Sequence, residues 1–300
     1  MKRDKSKKCF LFLCVLNIYF SYSQQGVFSL SDDYIVKKYS QRWELDSIDQ
    51  HGTFRLMAYK PTYLAPARWS SNPNDKPYSE NPDYSVAEAK PYNNIETKFQ
   101  LSFKTKIVQG LFNRKGDIWL GYTQKAHWQV FNVNLSRVFR ELNYEPEVIF
   151  MYPISFSFWQ GKFKAAGISL NHQSNGKDLP TSRSWNRIIF YLGYENGNWL
   201  VTLRPWLRLK DDEDENPYIT KYIGNGEINA SYTYNRHQFY TIVTHPFNHL
   251  KYGSIQLNYV FPLKGHLRGH VQLFEGYGET MIDYNHRQTT LGIGVSFSDW

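Results

Sequence analysis

Polar and apolar residues alternate with a period of two along most of this chain. In Glu96–Ile107, Glu96, Lys98, Gln100, Ser102 and Lys104 interleave with Phe99, Leu101, Phe103 and Ile107. In Leu200–Leu209, Thr202, Arg204 and Arg208 interleave with Val201, Leu203, Leu207 and Leu209. The same rhythm sets Gln256 and Asn258 against Ile255, Leu257, Tyr259 and Phe261, and Gly292, Gly294 and Ser296 against Leu291, Ile293, Val295 and Phe297. A period of two is the signature of strands. Strands are expected near 54–65, 95–108, 117–130, 145–157, 162–172 and 186–194, then near 199–209, 223–234, 238–244, 254–261, 266–274 and 288–297. Pro205 cannot donate to a ladder and predicts a local bulge.

The connections alternate too. Asn113-Arg114-Lys115-Gly116, Trp159-Gln160-Gly161-Lys162, Glu195-Asn196-Gly197-Asn198, Asn235-Arg236-His237 and Leu263-Lys264-Gly265 are tight turns. Between them run longer polar segments near 66–94, 131–144, 173–185, 210–222, 245–253 and 275–287. Arg and Lys on the polar face require that face to be wet or densely hydrogen-bonded. With short turns at one end, long loops at the other and twelve strands, the expected fold class is all-β: a twelve-stranded antiparallel transmembrane β-barrel of the outer-membrane type. The chain ends on an aromatic residue, Trp300.

Composition agrees with this picture. The chain has 23 Tyr, 20 Phe and 9 Trp, and a mean hydropathy of −0.56, because interior polar residues dilute the apolar outer face. Lys2, Arg3, Lys5, Lys7 and Lys8 precede an apolar run from Cys9 to Phe20, and Ser21-Tyr22-Ser23 offers small residues for cleavage. Residues 1–23 are therefore expected to be a signal peptide, residues 24–50 a polar N-terminal extension, and residues 51–300 the barrel. The apolar run is short of the roughly 20 residues of a spanning helix, and Leu13 is too large for a lipoprotein site at Cys14. Both cysteines, Cys9 and Cys14, lie in the leader, so disulfides and thiolate metal sites are excluded from the mature chain. Much of the formal charge of +8 also lies there. No nucleic-acid partner is expected, since no zinc-finger, Walker or basic-aromatic motif is present.

Parity carries into the segment with the most chemistry. Ile168, Leu170, His172 and Ser174 share one face of their strand, and Asn186, Ile188, Phe190 and Leu192 share one face of the next. His172, Ser174 and Asn186 thus extend lipid-facing rows at the loop end. Residues two apart on a strand are roughly 6.5 Å apart, so an imidazole reaches the hydroxyl. The expected roles are Ser174 as nucleophile, His172 as its general base and Asn186 as the amide that fixes the imidazole tautomer. Gly176 lets the backbone bend and offer an N–H to an oxyanion. A polar trio on an apolar outer face suits an enzyme whose substrate is the membrane lipid itself. In the competing reading, a porin-like binding or transport barrel, the trio is structural; an acyltransferase would need an acceptor site that the sequence does not offer. Gln124 shares a face with Leu120, Tyr122, Ala126 and Trp128, where an amide would be satisfied across a two-fold homodimer interface or by headgroup water.

The segments Asn171-His172-Gln173-Ser174-Asn175-Gly176 and Pro180-Thr181-Ser182-Arg183-Ser184-Trp185-Asn186-Arg187 resemble the signature of the outer membrane phospholipase A family. The likeness continues through Tyr122-Thr123-Gln124-Lys125, Phe139-Arg140-Glu141, Gly276-Tyr277-Gly278-Glu279 and Ile282-Asp283-Tyr284-Asn285, and covers about residue 95 to the C-terminus. The resemblance implies a twelve-stranded barrel in the outer membrane that hydrolyses phospholipid acyl esters, uses Ca2+ and acts as a homodimer. It places the metal at the Lys177 carbonyl, at Ser182 and at Ser136 of the partner subunit. Where the family often has an acidic residue two before the Thr-Ser pair, this chain has Leu179. Either Asp178 substitutes after a small loop shift, or calcium binds more weakly.

Overall fold

The computed structural model describes residues 37–245, 251–265 and 267–297. The expected leader and Trp300 lie outside them. The described chain forms thirteen strands: β1 Leu56–Ala58, β2 Tyr63–Ser70, β3 Ile95–Gly110, β4 Gly116–Trp128, β5 Glu141–Phe158, β6 Gly161–Ser174, β7 Ser184–Asn196, β8 Trp199–Leu209, β9 Gly226–Tyr234, β10 His237–Thr244, β11 Ser254–Pro262, β12 Arg268–Tyr277 and β13 Arg287–Ser296. Each strand from β2 to β13 pairs antiparallel with its chain neighbours. β13 pairs with β2 in turn, so the twelve staves close into a barrel. Closure leaves no unpaired edge to face lipid.

The first stave differs from the expected single strand at 54–65. β1 pairs with β3 at Phe103–Thr105 and β2 pairs with the same edge of β3 at Ile95–Gln100. Between them the chain leaves the wall. Tyr59 Oη reaches Glu147 and Tyr191 at 3.1 and 2.9 Å, and Lys60 Nζ lies 2.7 Å from Glu145. Pro61 has no N–H to give the ladder, and the stave resumes at Tyr63 and runs on to Ser70. The bulge expected at Pro205 is also absent. Pro205 pairs with Gly226 on β9, and the β7–β8 register is the same on both sides of it. Pro205 only interrupts that ladder, between Ile189↔Trp206 and Leu192↔Leu203. A register shift occurs instead between Pro153 and Phe156 on β5.

Outward rows carry exposed Leu120, Val148, Leu170, Phe190, Leu207 and Leu273, and Phe112, Phe158, Trp159, Trp199 and Tyr234 ring the turn end. Apolar band and aromatic girdle are what a barrel shows to lipid. The inward face is packed with charge. Glu145 and Glu147 bind Lys60, Arg187 and Arg204, while Glu279 binds Arg68 and Lys98. At the turn end, helix α1 (Tyr39–Trp43) enters the lumen. Trp43 packs edge-on against Trp119 and Tyr59, its ring lies 3.1 Å from Lys104 Nζ, and Glu44 pairs with Lys106 at 2.8 Å. Thus residues 39–44, read from sequence as part of a polar extension, fill the lumen. A porin needs an open polar lumen; here the inward side chains are buried against one another.

Candidate active site

The β6–β7 register places His172 directly opposite Asn186. His172 Nδ1 lies 2.8 Å from Asn186 Oδ1. An amide oxygen only accepts, so the imidazole donates from Nδ1 and its Nε2 lone pair is left for a proton. Ser174 lies two residues beyond His172, flanked by Tyr144 of β5 and Ser184 of β7. His172 is exposed on the outer wall, and Ser174 and Asn186 are half-buried there. All three stand within the strands, because β6 runs to Ser174 and β7 begins at Ser184. Among the described residues no hydrogen bond joins His172 to Ser174. Such bonds commonly tighten only when substrate is held.

The inward residues of the same strands make this patch rigid. Arg187 donates from Nε and Nη2 to Asn171 Oδ1 at 3.0 and 2.7 Å, and Gln173 Oε1 accepts from Trp185 Nε1 at 2.9 Å. Parity then turns the intervening residues outward. The wall is thus a hydrogen-bonded scaffold behind and the row of His172, Ser174 and Asn186 in front.

The loop after Ser174 is held by Asn175. Its Oδ1 accepts from the Arg183 N–H at 2.9 Å and its Nδ2 donates to the Thr181 carbonyl at 2.8 Å. Gly176 between them has φ +62°, and a Cβ there would lie 3.0 Å from the Tyr144 ring. The positive φ favours glycine, and a Cβ would press on the Tyr144 ring. Lys177 pairs with Glu141 at 3.0 Å and donates to the Arg140 carbonyl. Arg183 is fully buried, donating to the Tyr84 carbonyl, and burial lowers its guanidinium below the ordinary value. Ser136 lies half-buried in the β4–β5 loop, its carbonyl accepting from Trp128 Nε1.

The polar segment near 210–222 contains an acidic run, Asp211–Glu215, whose partners the sequence does not announce. Asp211 accepts from Asn186 Nδ2 at 3.0 Å, Asp214 pairs with Arg208, and Glu215 Oε1 accepts from Ser182 Oγ at 2.9 Å. Glu213 accepts from Tyr84, a bond that pushes the phenol up to about 12. Asp178, by contrast, is exposed. No sequence pattern pairs a run of acids with hydroxyls up to 129 positions away.

A cleft of about 310 Å³ lies behind the loops, lined by Tyr92, Phe139, Arg140, Lys177, Thr181 and Ile282 among others. His172, Ser174 and Asn186 do not line it. They stand on the outer wall instead.

A closed barrel with a filled lumen and the polar row of His172, Ser174 and Asn186 turned outward points to a class, an integral membrane enzyme rather than a conduit. The model of the phospholipase A1 family matches residues 39–297, and the chain belongs to that family. It is 35% identical to phospholipase A1 of Klebsiella pneumoniae over 251 residues, covering 84% of this chain and 85% of that one. Outer membrane phospholipase A from Escherichia coli superposes with a TM-score of 0.76 at 34% identity, covering 87% of this chain and 98% of that one. A Salmonella typhi outer membrane phospholipase dimer with bound calcium gives 0.75 at 34% identity, over 83% and 94%. The chain is a phospholipase, a carboxylic ester hydrolase of the outer membrane.

Proposed function

We propose that this chain hydrolyses phospholipid acyl esters, at sn-1, sn-2 or both, with Ser174 as nucleophile, and that it does so as a calcium-dependent homodimer. The observation that carries the reading is the His172 Nδ1 to Asn186 Oδ1 bond on the outer wall. It leaves Nε2 basic toward Ser174. Ser174 Oγ attacks the ester carbonyl as His172 Nε2 takes its proton. The backbone N–H at Gly176 donates to the oxyanion. His172 then returns the proton to the departing glycerol oxygen, leaving an acyl-serine. Water, deprotonated by His172, releases the fatty acid and restores Ser174.

The donor set suits a hard cation. Among the described residues no three His, Cys, Asp or Glu side chains group as a metal site; the expected ligands are instead the Lys177 carbonyl, Ser182, Asp178 and Ser136 of the partner subunit. Ser182 also brings Glu215, whose buried Oε2 has no hydrogen-bond partner among the described residues. A carboxylate oxygen left in that state fits a cation. Glu215 thus supplies the charge that Leu179 does not. When bound, calcium would add positive charge against the developing oxyanion. The Salmonella relative, a dimer with bound calcium, supports both features. Gln124 stands half-buried on the outer face of β4, its Oε1 accepting from Tyr122 at 3.1 Å, and we assign it to the two-fold interface.

The test is fatty-acid release from phospholipid–detergent micelles with calcium present and chelated. Ser174→Ala should abolish release. Hydrolysis that survives it removes Ser174 as nucleophile, and activity in a strictly monomeric preparation removes the dimer requirement.

A further inference from the structure

The row of hydrogen bonds on the outer wall extends past Asn186. Strands β6, β7 and β8 lie side by side, and their registers set His172 opposite Asn186 and Asn186 opposite Leu209. Asp211 lies two residues beyond Leu209, just past the end of β8, and is half-buried at the loop rim beside Asn186. Asn186 Nδ2 donates to Asp211 Oδ1 at 3.0 Å while Asn186 Oδ1 takes the His172 bond. Among the described residues this is the one hydrogen bond to the Asp211 side chain, and no Lys or Arg pairs with it. Asp214 has Arg208 and Glu215 has Ser182. A half-buried carboxylate is costly to leave unpaired, and among the described residues this one bonds Asn186 alone.

We propose that Asp211 is a positioning residue for the ester hydrolysis, acting through the Asn186 carboxamide. This rests on the Ser174–His172–Asn186 reading and deepens it. An amide has an accepting end and a donating end, and nothing in its own shape selects between them. Turned over, Asn186 would present Nδ2–H to His172 Nδ1. The imidazole would then have to accept there and carry its proton on Nε2, where it cannot take the proton of Ser174. Asp211 breaks that symmetry. An ionised carboxylate only accepts, so it draws Nδ2 toward itself and repels Oδ1, and a charge-assisted bond separates the two orientations. The negative charge behind the amide also strengthens Oδ1 as the acceptor for the imidazolium that forms as Ser174 attacks. The neutral amide thus borrows the charge that a carboxylate in its own place would carry, one strand further from the ester.

The experiment is a double-mutant cycle on the full barrel refolded in detergent, with fatty-acid release measured at saturating calcium. Asp211→Ala should lower kcat by about tenfold, the worth of one charge-assisted hydrogen bond, with KM unchanged. Asp211→Asn, whose side-chain oxygen still accepts but carries no charge, should fall between wild type and Asp211→Ala. In the Asn186→Ala background, Asp211→Ala should change kcat by less than about twofold, because the residue it acts through is gone. The calcium concentration for half-maximal activity should be the same in Asp211→Ala and wild type. An Asp211→Ala enzyme at the wild-type rate overturns the proposal. So does an equal loss in both backgrounds, which would mean a structural role in the loop, or a loss that added calcium restores. Ser174→Ala, run alongside, separates the two readings: it is inactive if the nucleophile is right, whatever Asp211 does, and residual hydrolysis there overturns the underlying mechanism instead.

Discussion

Glu96 accepts five hydrogen bonds at the loop end of the lumen. It is 1% exposed, and both of its oxygens are engaged. Oε1 accepts from Arg68 Nη1 at 3.0 Å, from Arg140 Nη2 at 2.9 Å and from His127 Nδ1 at 2.8 Å; Oε2 accepts from Arg140 Nε at 2.8 Å and Gln129 at 3.1 Å. Glu96→Gln keeps the shape but removes the charge and turns an NH2 group toward donors. Breaking a buried pair by removing one partner costs about 3–5 kcal/mol. Arg68 keeps Glu279 and Arg140 keeps Asp283 at 3.3 Å, so the low end applies, about 3 kcal/mol. The contrast is Glu275, which pairs with Arg287 at 2.8 Å on the surface, where the side chains are 35% and 63% exposed. Glu275→Gln should cost less than about 1 kcal/mol. Urea unfolding of the refolded barrel in detergent, followed by tryptophan fluorescence, measures both as a shift in midpoint at constant slope. The Arg140 carbonyl receives Lys177, so the loosened Glu96→Gln barrel should also release fatty acid more slowly. A Glu96→Gln barrel within about 1 kcal/mol of wild type would refute the reasoning, because it would mean that the lumen network is as well solvated as the surface.

Three further outcomes follow from the rim. Gly176→Ala should lower kcat by at least about tenfold, as for a disturbed oxyanion donor, since a side chain is strained at its φ of +62° and a Cβ would press on the Tyr144 ring; an unchanged rate in micelles would remove Gly176 from the oxyanion site. Asp283 is buried, which opposes its charge, but Arg140 and the Thr280 hydroxyl outweigh burial and hold its carboxyl below the ordinary value. A depressed carboxylate contributes stability above its unfolded pKa of about 4 and loses it as pH falls through the folded value. Asp283→Asn should therefore be less stable than wild type at pH 7, with the gap in unfolding midpoint closing below about pH 4; a gap constant down to pH 3 would contradict this. Glu215→Gln should raise the calcium needed for half-maximal hydrolysis by roughly tenfold, and chelation should stop hydrolysis while the barrel stays folded by heat-modified gel mobility.

Much of the architecture was legible because strand parity is local. A period of two needs only neighbouring residues, so the twelve staves, the tight turns and the outward direction of His172, Ser174 and Asn186 could be read without knowing what lies across the barrel. The exceptions have causes across the barrel that parity does not encode. Tyr59 and Lys60 leave the first stave for partners in the lumen, while Pro205 keeps its register because β9 still pairs with it.

What joins distant stretches was decided by closure. Arg68 meets Glu279 across 211 positions, and Asp283 meets Arg140 across 143. These pairings depend on the stagger with which β13 returns to β2, which no single strand specifies. The acidic run is the clearest case. From sequence, Asp211–Glu215 is a charged loop; in the barrel, β8 beside β7 carries Asp211 to the back of Asn186, and the loop returns Glu215 to Ser182. The sequence by itself determined which residues face outward and which of those are polar. Only the tertiary structure decided which charges stand behind them, because an electrostatic partner is chosen by distance in space and the chain records only distance along itself.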